Sequence, residues 1–298
     1  MPPEDSTPIV GTFTAMITPF GDGPIDYGRL DEQIERQIAA GVDGLVPCGT
    51  TGESPTLSHE EHRRLIEHVV AKVAGRVKVV AGTGSNATSE ALALTRHAKG
   101  AGADAALVVN PYYNKPTQEG QYRHFARLAD EVGLPMVLYN IPGRTGVALT
   151  PATVARLAEH EAVVAIKEAT ASMDMASEIA ALTTHRDFAI LSGDDSLTLP
   201  LMALGGRGVI SVLSNLLPDR VTAMVKAGRT GDWEEARRKH LELFPLFKGM
   251  FLETNPIPIK TAMSLAGYDT GELRLPLCEM AADHEKQLEA ILQASGVR

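Results

Sequence analysis

Very little in this chain would stitch it together, anchor it or draw it to a polyanion. Only two cysteines occur in 298 residues, Cys48 and Cys278, in unrelated surroundings. A disulfide framework is therefore not expected, and reduced thiols in a cytoplasmic setting are the default. Uninterrupted apolar stretches never approach the ~18 residues that would suggest a membrane span. Met1–Pro8 carries Glu4 and Asp5 and lacks a positive start followed by an apolar core, so it does not read as a secretory leader. Basic residues are in deficit, 28 against 37 acidic ones for a net charge of −9, and no long basic run offsets this. A nucleic-acid surface is thereby disfavoured, although a local basic pocket for acidic metabolites is not.

What the chain does have is rhythm. Short apolar runs begin near Ile9, Asp43, Val77, Asp104, Pro135, Ala162, Phe188 and Arg207. Their Val, Ile, Leu and Ala residues fall on successive rather than alternating positions, the pattern of parallel strands buried on both faces. Helical segments lie between them, among them Tyr27–Ala40, Ser58–Ala74, Thr88–Gly100, Gln118–Val132 and Pro151–Ala158. Ser58 with Glu61 reads as a capping box, and Thr150-Pro151 as an N-cap followed by an N1 proline. Ala40-Gly41 and Lys99-Gly100 read as helix ends. Eight strand–helix units predict an α/β fold, a (β/α)8 TIM barrel over residues 1–231 whose eighth helix runs from about Leu216 to Gly228. Residues 232–298 read as a small C-terminal α-helical domain, with helices over Asp232–Phe251, Pro256–Ala266 and Pro276–Ser295.

Polar and glycine-rich motifs follow the C-terminal ends of the runs, which is where barrels of this class place their active sites. Lys167 ends the apolar run Ala162–Ile166. A lysine there projects into the barrel mouth, where desolvation disfavours an ammonium and frees the amine to attack carbonyls. The plainer alternative is a lysine that snorkels to solvent or pairs with Glu168. Tyr139 ends another run, and its phenol is suited to move a proton if the hydroxyls of Thr50 and Tyr113 form a relay. The turn Gly49-Thr50-Thr51-Gly52 offers backbone N–H groups and two hydroxyls to an anion. Arg144 offers a planar fork to a second carboxylate, or else is a surface arginine.

Other motifs compete. Gly82-x-Gly84-x-x-Ala87, with Asp104 beyond it, superficially matches a dinucleotide fingerprint, but the rhythm continues for eight units. His59-x-x-His62 lacks a third ligand at metal spacing and reads as a solvent-facing pair, so no metal is expected. Cys48 reads as a packing residue inside the second strand. Walker A, zinc-protease and kinase signatures are absent.

The motifs GTTGES, NPYYNKPTQEG, YNIPGRTG, AIKEAT, SGDD, GVISV and NPIPIK are specific in combination. Through them the chain, from about Gly11 to Leu277, resembles the dihydrodipicolinate synthase family within the N-acetylneuraminate lyase superfamily of class I aldolases. The resemblance implies pyruvate and L-aspartate 4-semialdehyde as substrates, in lysine and diaminopimelate synthesis. It implies that Lys167 forms the Schiff base, that Tyr139 is the general acid/base, and that Thr50 and Tyr113 complete the relay, the second tyrosine lent by a neighbouring subunit. It implies that Thr51 holds pyruvate's carboxylate, that Arg144 receives the semialdehyde's carboxylate, and that Gly193 and Ile210 line the pyruvate pocket. It further implies a homotetramer built as a dimer of dimers. Ser54, His59, His62, Asn86, Glu90 and Tyr112 match positions that bind inhibitory L-lysine in regulated members, although an acidic, histidine-bearing surface is the simpler reading. No organic cofactor is implied, since the lysine is itself the electron sink.

Arg144-Thr145-Gly146 favours a short acidic aldehyde over the sugar taken by neuraminate lyases. Those lyases, 2-keto-3-deoxy sugar-acid aldolases, a nicotinamide-dependent oxidoreductase and a non-catalytic binding barrel are the alternatives.

Overall fold

The structure, a computed structural model, describes residues 9–297, so the reading of Met1–Pro8 lies outside the described residues. Its centre is a closed barrel of parallel strands. In chain order the elements are β1 (Gly11–Ala15), α1 (Tyr27–Ala39), β2 (Gly44–Val46), α2 (His59–Val73), β3 (Lys78–Gly82), α3 (Thr88–Ala101), β4 (Ala105–Val109), α4 (Gln118–Val132), β5 (Met136–Asn140), α5 (Pro142–Thr145), α6 (Pro151–Ala158), β6 (Val163–Glu168), α7 (Met173–Thr183), β7 (Ala189–Ser192), α8 (Thr198–Ala203), β8 (Gly208–Ser211), α9 (Pro218–Arg229), α10 (Trp233–Gly249), α11 (Ile257–Leu265) and α12 (Ala282–Ala294). Each strand pairs with its neighbour in sequence, and β8 returns to β1. The expected barrel is therefore present.

The unbroken apolar runs exist because the strands are covered on both faces. Val46, Val80, Leu107, Val137, Ala165 and Ile210 meet inside the barrel. Their neighbours Leu45, Ala81, Val108, Leu138 and Ile166 face the surrounding helices. Successive side chains on a strand point to opposite faces, so both sets must be apolar. The C-terminal helices do not stand apart from this packing. Leu243, Phe247, Ile259 and Leu288 share one apolar cluster with Val209, Val221 and Met224 of the last barrel unit.

Local signals set most helix starts. Ser58 and Glu61 form the expected capping box, and Thr150 caps α6 ahead of Pro151. Three of the boundaries that differ from expectation have a visible cause. α3 runs past Gly100 to Ala101, because Gly102, at φ +92°, takes the left-handed cap while Gly100 stays helical. The eighth helix starts at Pro218, since Leu213–Asn215 is used as a tight turn. α12 starts at Ala282 rather than Pro276, because Arg274 and the residues after it lie across the barrel mouth, tied to Glu61 and lining a cavity there. Among the described residues no helix is long and apolar enough to cross a membrane.

Barrel closure rests on Asn215. Its carboxamide donates to the Ala15 carbonyl at 2.7 Å and to the Val212 carbonyl at 2.9 Å, and accepts from the Ile17 N–H at 3.0 Å. Beside it, Thr14 donates to Gln37 and accepts from Ser214. All of these groups are buried, so each lost partner leaves an unsatisfied polar atom. Asn215→Ala is expected to cost about 2–4 kcal/mol of stability, read as a lower urea midpoint at unchanged m-value.

Candidate active site

The strand ladder places two of the sequence-selected residues side by side. Tyr139 on β5 is in register with Lys167 on β6. Both share the inward alternation of Val137 and Ala165, and both are nearly covered, at 4% and 5% exposure. The Lys167 Nζ lies 4.3 Å from the centroid of the Tyr139 ring. Lys167 does not pair with Glu168. Alternation turns Glu168 outward, where its carboxylate accepts from the Thr170 N–H at 2.6 Å and from Asn140 at 3.3 Å. Burial pushes the Glu168 carboxyl above its ordinary range, opposed by those hydrogen bonds. Asn140 also bonds Asn110, Leu149 and Met175, so the residues that follow the inward-facing side chains tie β4, β5 and β6 together.

Gly193 packs against Lys167. A Cβ there would lie 3.1 Å from both Cγ and Cε of the lysine and 2.7 Å from the Ala169 methyl. Ile210 is fully buried in the interior cluster that also holds Tyr139. Thr50 is half-buried in the turn after β2, and Thr51 is buried beside it. The Thr51 hydroxyl accepts from the Asn255 carboxamide at 3.0 Å. The Asn255 carbonyl accepts from the Arg144 guanidinium at 2.9 Å. Arg144 stands exposed on α5 and reaches over the mouth.

Tyr113 is not brought to this group within one chain. Its ring is 89% exposed, and its backbone sits at φ +70°, a conformation that costs a bulky residue about 1–3 kcal/mol.

A cavity of about 550 Å³ opens at the mouth. Thr50 and Arg144 line it, as do Ser54, His59, His62, Glu90 and Tyr112. Lys167 and Tyr139 are not in its wall; Val109, in register with Tyr139, and Ile141 are. Asn86 also lies outside the wall, its carbonyl taken by Asn114. His59 pairs with Glu90 at 3.1 Å, and Glu90 accepts from Ser85.

Two expectations need correction. His62 is not solvent-facing: it is buried, with its Nε2 2.7 Å from the Gly82 carbonyl. Cys48 does not lie inside β2, which ends at Val46; it sits in a left-handed turn at φ +57°, and burial pushes its thiol up. The glycines of the dinucleotide-like motif are consumed by packing. A Cβ on Gly82 would fall 2.1 Å from the Cys48 carbonyl oxygen, and one on Gly84 would fall 2.4 Å from the Val109 nitrogen. Asp104 bonds Lys78 and the Val79 N–H instead of a ribose. Among the described residues no group of three or more His, Cys, Asp or Glu is placed to hold a metal ion.

The sequence reading also missed a buried ion pair. Glu53 and Lys260 meet at 2.7 Å with both side chains fully enclosed. Burial pulls the Lys260 ammonium below its ordinary range, with Glu53 opposing. The only sequence signals were the motifs GTTGES and NPIPIK, which contain these residues.

Residues 8–295 match the dihydrodipicolinate synthetase family. The chain belongs to that family. A 4-hydroxy-tetrahydrodipicolinate synthase from Geotalea daltonii is 54% identical over 95% of this chain and 97% of its own length. Among solved structures, the chloride-inhibited dihydrodipicolinate synthase of Acinetobacter baumannii complexed with pyruvate is 41% identical. It covers 97% of this chain and all of its own, with a TM-score of 0.93. The Cyanidioschyzon merolae enzyme with lysine bound is also 41% identical, at TM-score 0.94 over 98% of this chain and all of its own.

Burial lowers the His62 pKa below its ordinary 6.5, against the hydrogen bond to Gly82. A depressed folded value means that the unfolded chain binds the proton first. The stability from neutral His62 is therefore present above about 6.5 and is lost as pH falls through the lower, folded value. His62→Gln keeps an N–H donor for Gly82 and cannot titrate. It should lose less stability than the parent between about pH 7 and about pH 5, measured by urea unfolding. His124, pushed down to about 4 by burial, contributes equally to both proteins and cancels in the comparison.

Proposed function

We propose that Lys167 condenses with pyruvate and that the resulting enamine adds to L-aspartate 4-semialdehyde, the reaction of a 4-hydroxy-tetrahydrodipicolinate synthase. The observation that carries this reading is a lysine enclosed in the barrel interior, in register with Tyr139 and without a carboxylate partner among the described residues. The Lys167 amine attacks the keto carbon, and water leaves as the iminium forms. The iminium withdraws electrons from the neighbouring methyl group, whose proton departs through Tyr139. The enamine carbon then bonds to the aldehyde carbon, and the aldehyde oxygen takes up a proton. The amine of the second substrate attacks the iminium carbon, closing the ring and releasing Lys167.

Thr51 and the N–H groups of its turn hold the carboxylate of pyruvate, and Arg144, aimed across the mouth, takes that of the semialdehyde. Gly193 and Ile210 shape the space around the lysine. Thr50 carries the proton onward from Tyr139. Tyr113 is given to a neighbouring copy of the chain: a strained backbone presents a large aromatic ring to solvent, an arrangement that gains by burial in a partner. That exchange needs two copies at least, and the homotetramer, as a dimer of dimers, is what the family resemblance implies.

Borohydride added after pyruvate should fix a three-carbon adduct on Lys167, located by peptide mass. In Arg144→Ala the adduct should persist while turnover with the semialdehyde falls about 100-fold or more. Equal loss of both activities would make Arg144 structural. An unmodified parent protein would remove the Schiff-base reading altogether.

We also propose that L-lysine binds at the outer end of the cavity. Glu90 and His59, with Ser54, Tyr112 and the edge at Asn86 and His62, offer a carboxylate and further hydrogen-bonding groups to an amino acid carrying two ammonium groups. L-lysine is expected to inhibit turnover at millimolar concentration or below. Full activity at saturating L-lysine would dispose of this site.

A further inference from the structure

We propose that the segment Asn255–Lys260 is the positioning element of Thr51–Glu53 in the turn after β2, acting through the enclosed Lys260–Glu53 pair and the Asn255–Thr51 hydrogen bond. The inference rests on the reading of that turn as the holder of the pyruvate carboxylate.

The turn is not set by its own sequence alone. Glu53 closes it at φ +53°, a left-handed conformation that a non-glycine residue adopts only when its surroundings impose it. Its internal backbone bonds run from 3.1 to 3.4 Å: Glu53 N–H to Thr50 at 3.1 Å, Gly52 N–H to Gly49 at 3.2 Å and Ser54 N–H to Gly49 at 3.4 Å. The shorter bonds come from outside. Lys260 donates to Glu53 at 2.7 Å and to the Thr18 carbonyl at 2.8 Å. Thr18 in turn donates to the Gly52 carbonyl at 2.7 Å. The second oxygen of Glu53 accepts from the Arg274 N–H at 3.1 Å. Asn255, at the other end of the segment, reaches Thr51. Residues 51, 52 and 53 are thus each held by a chain of bonds that ends on one C-terminal segment.

Stability alone does not account for such a pair. Enclosing two charges costs desolvation that their attraction only roughly offsets, and apolar side chains of similar volume are commonly as stable. What the charges add is direction: an ammonium with fixed partners allows one placement of the Glu53 carboxylate, and so one course for the backbone between Gly49 and Glu53. A turn that presents N–H groups to an anion loses that function when its backbone can wander.

The test is the double variant Glu53→Gln/Lys260→Met, which removes both charges at nearly constant volume, alongside the neutral variant Asn255→Ala. Folding is checked by circular dichroism and thermal melting. In either folded variant the KM for pyruvate should rise about tenfold or more. At saturating pyruvate, kcat and the borohydride adduct on Lys167 should stay within about threefold of the parent. That split separates positioning of a binding turn from general loosening, which would lower kcat as well. A pyruvate KM within about twofold of the parent in a folded variant, or parallel loss of kcat and adduct, overturns the inference. The parent's own adduct is the control. Its absence overturns the Schiff-base reading, whereas its presence beside an unchanged variant KM overturns only the positioning role of Asn255–Lys260.

Discussion

The pairing of β5 with β6 at their C-terminal ends is the constraint on which the rest of the site depends. Parallel strands in register put Tyr139 beside Lys167, and strand alternation then leaves no choice for the residues that follow. Those residues, Asn140 and Glu168, face the helices, where they are buried and must find partners. They find each other, and through Asn110 they also engage β4. One face of the two strand ends thus carries Lys167 and Tyr139, and the other carries the fastening. Gly193 extends the arrangement to β7, since only a residue without a side chain leaves the lysine stem its course.

Much of this was legible in the chain itself. Strands enclosed on both sides leave unbroken apolar runs, so all eight could be found, and Lys167 stood out because it ends such a run. The ends of the elements were less legible for local reasons. Two glycines, Gly100 and Gly102, competed to end α3, and only the geometry of the left-handed cap decides between them. Pro276 looked like a helix start, but the backbone there is engaged across the mouth. His59 and His62 are spaced like a surface pair on a helix, yet both border the cavity and His62 is buried against the Gly82 carbonyl. No local pattern could reveal the Glu53–Lys260 pair, whose members stand 207 residues apart and meet only once the barrel has closed.

The C-terminal helices therefore serve the mouth of the barrel as well as its flank. They share an apolar cluster with the last strand–helix unit, and from that base Asn255, Lys260 and Arg274 reach the turn after β2 and the start of α2. A barrel whose loops all came from its own eight units would lack this outside brace. Thr50 and Arg144 border the same hollow as Ser54 and His59, and the brace touches both the turn after β2 and the start of α2.

Asn215 joins the first strand to a loop formed some 200 residues later in the chain. During synthesis β1 emerges from the ribosome long before either that loop or β8 exists. At roughly 5–20 residues per second the wait is on the order of 10–40 s. Throughout it, one edge of β1 offers unpaired N–H and carbonyl groups, which is the kind of surface that recruits stray strands. The nascent chain is thus most vulnerable at its oldest strand, and it sheds that vulnerability only when nearly all of the barrel has been made.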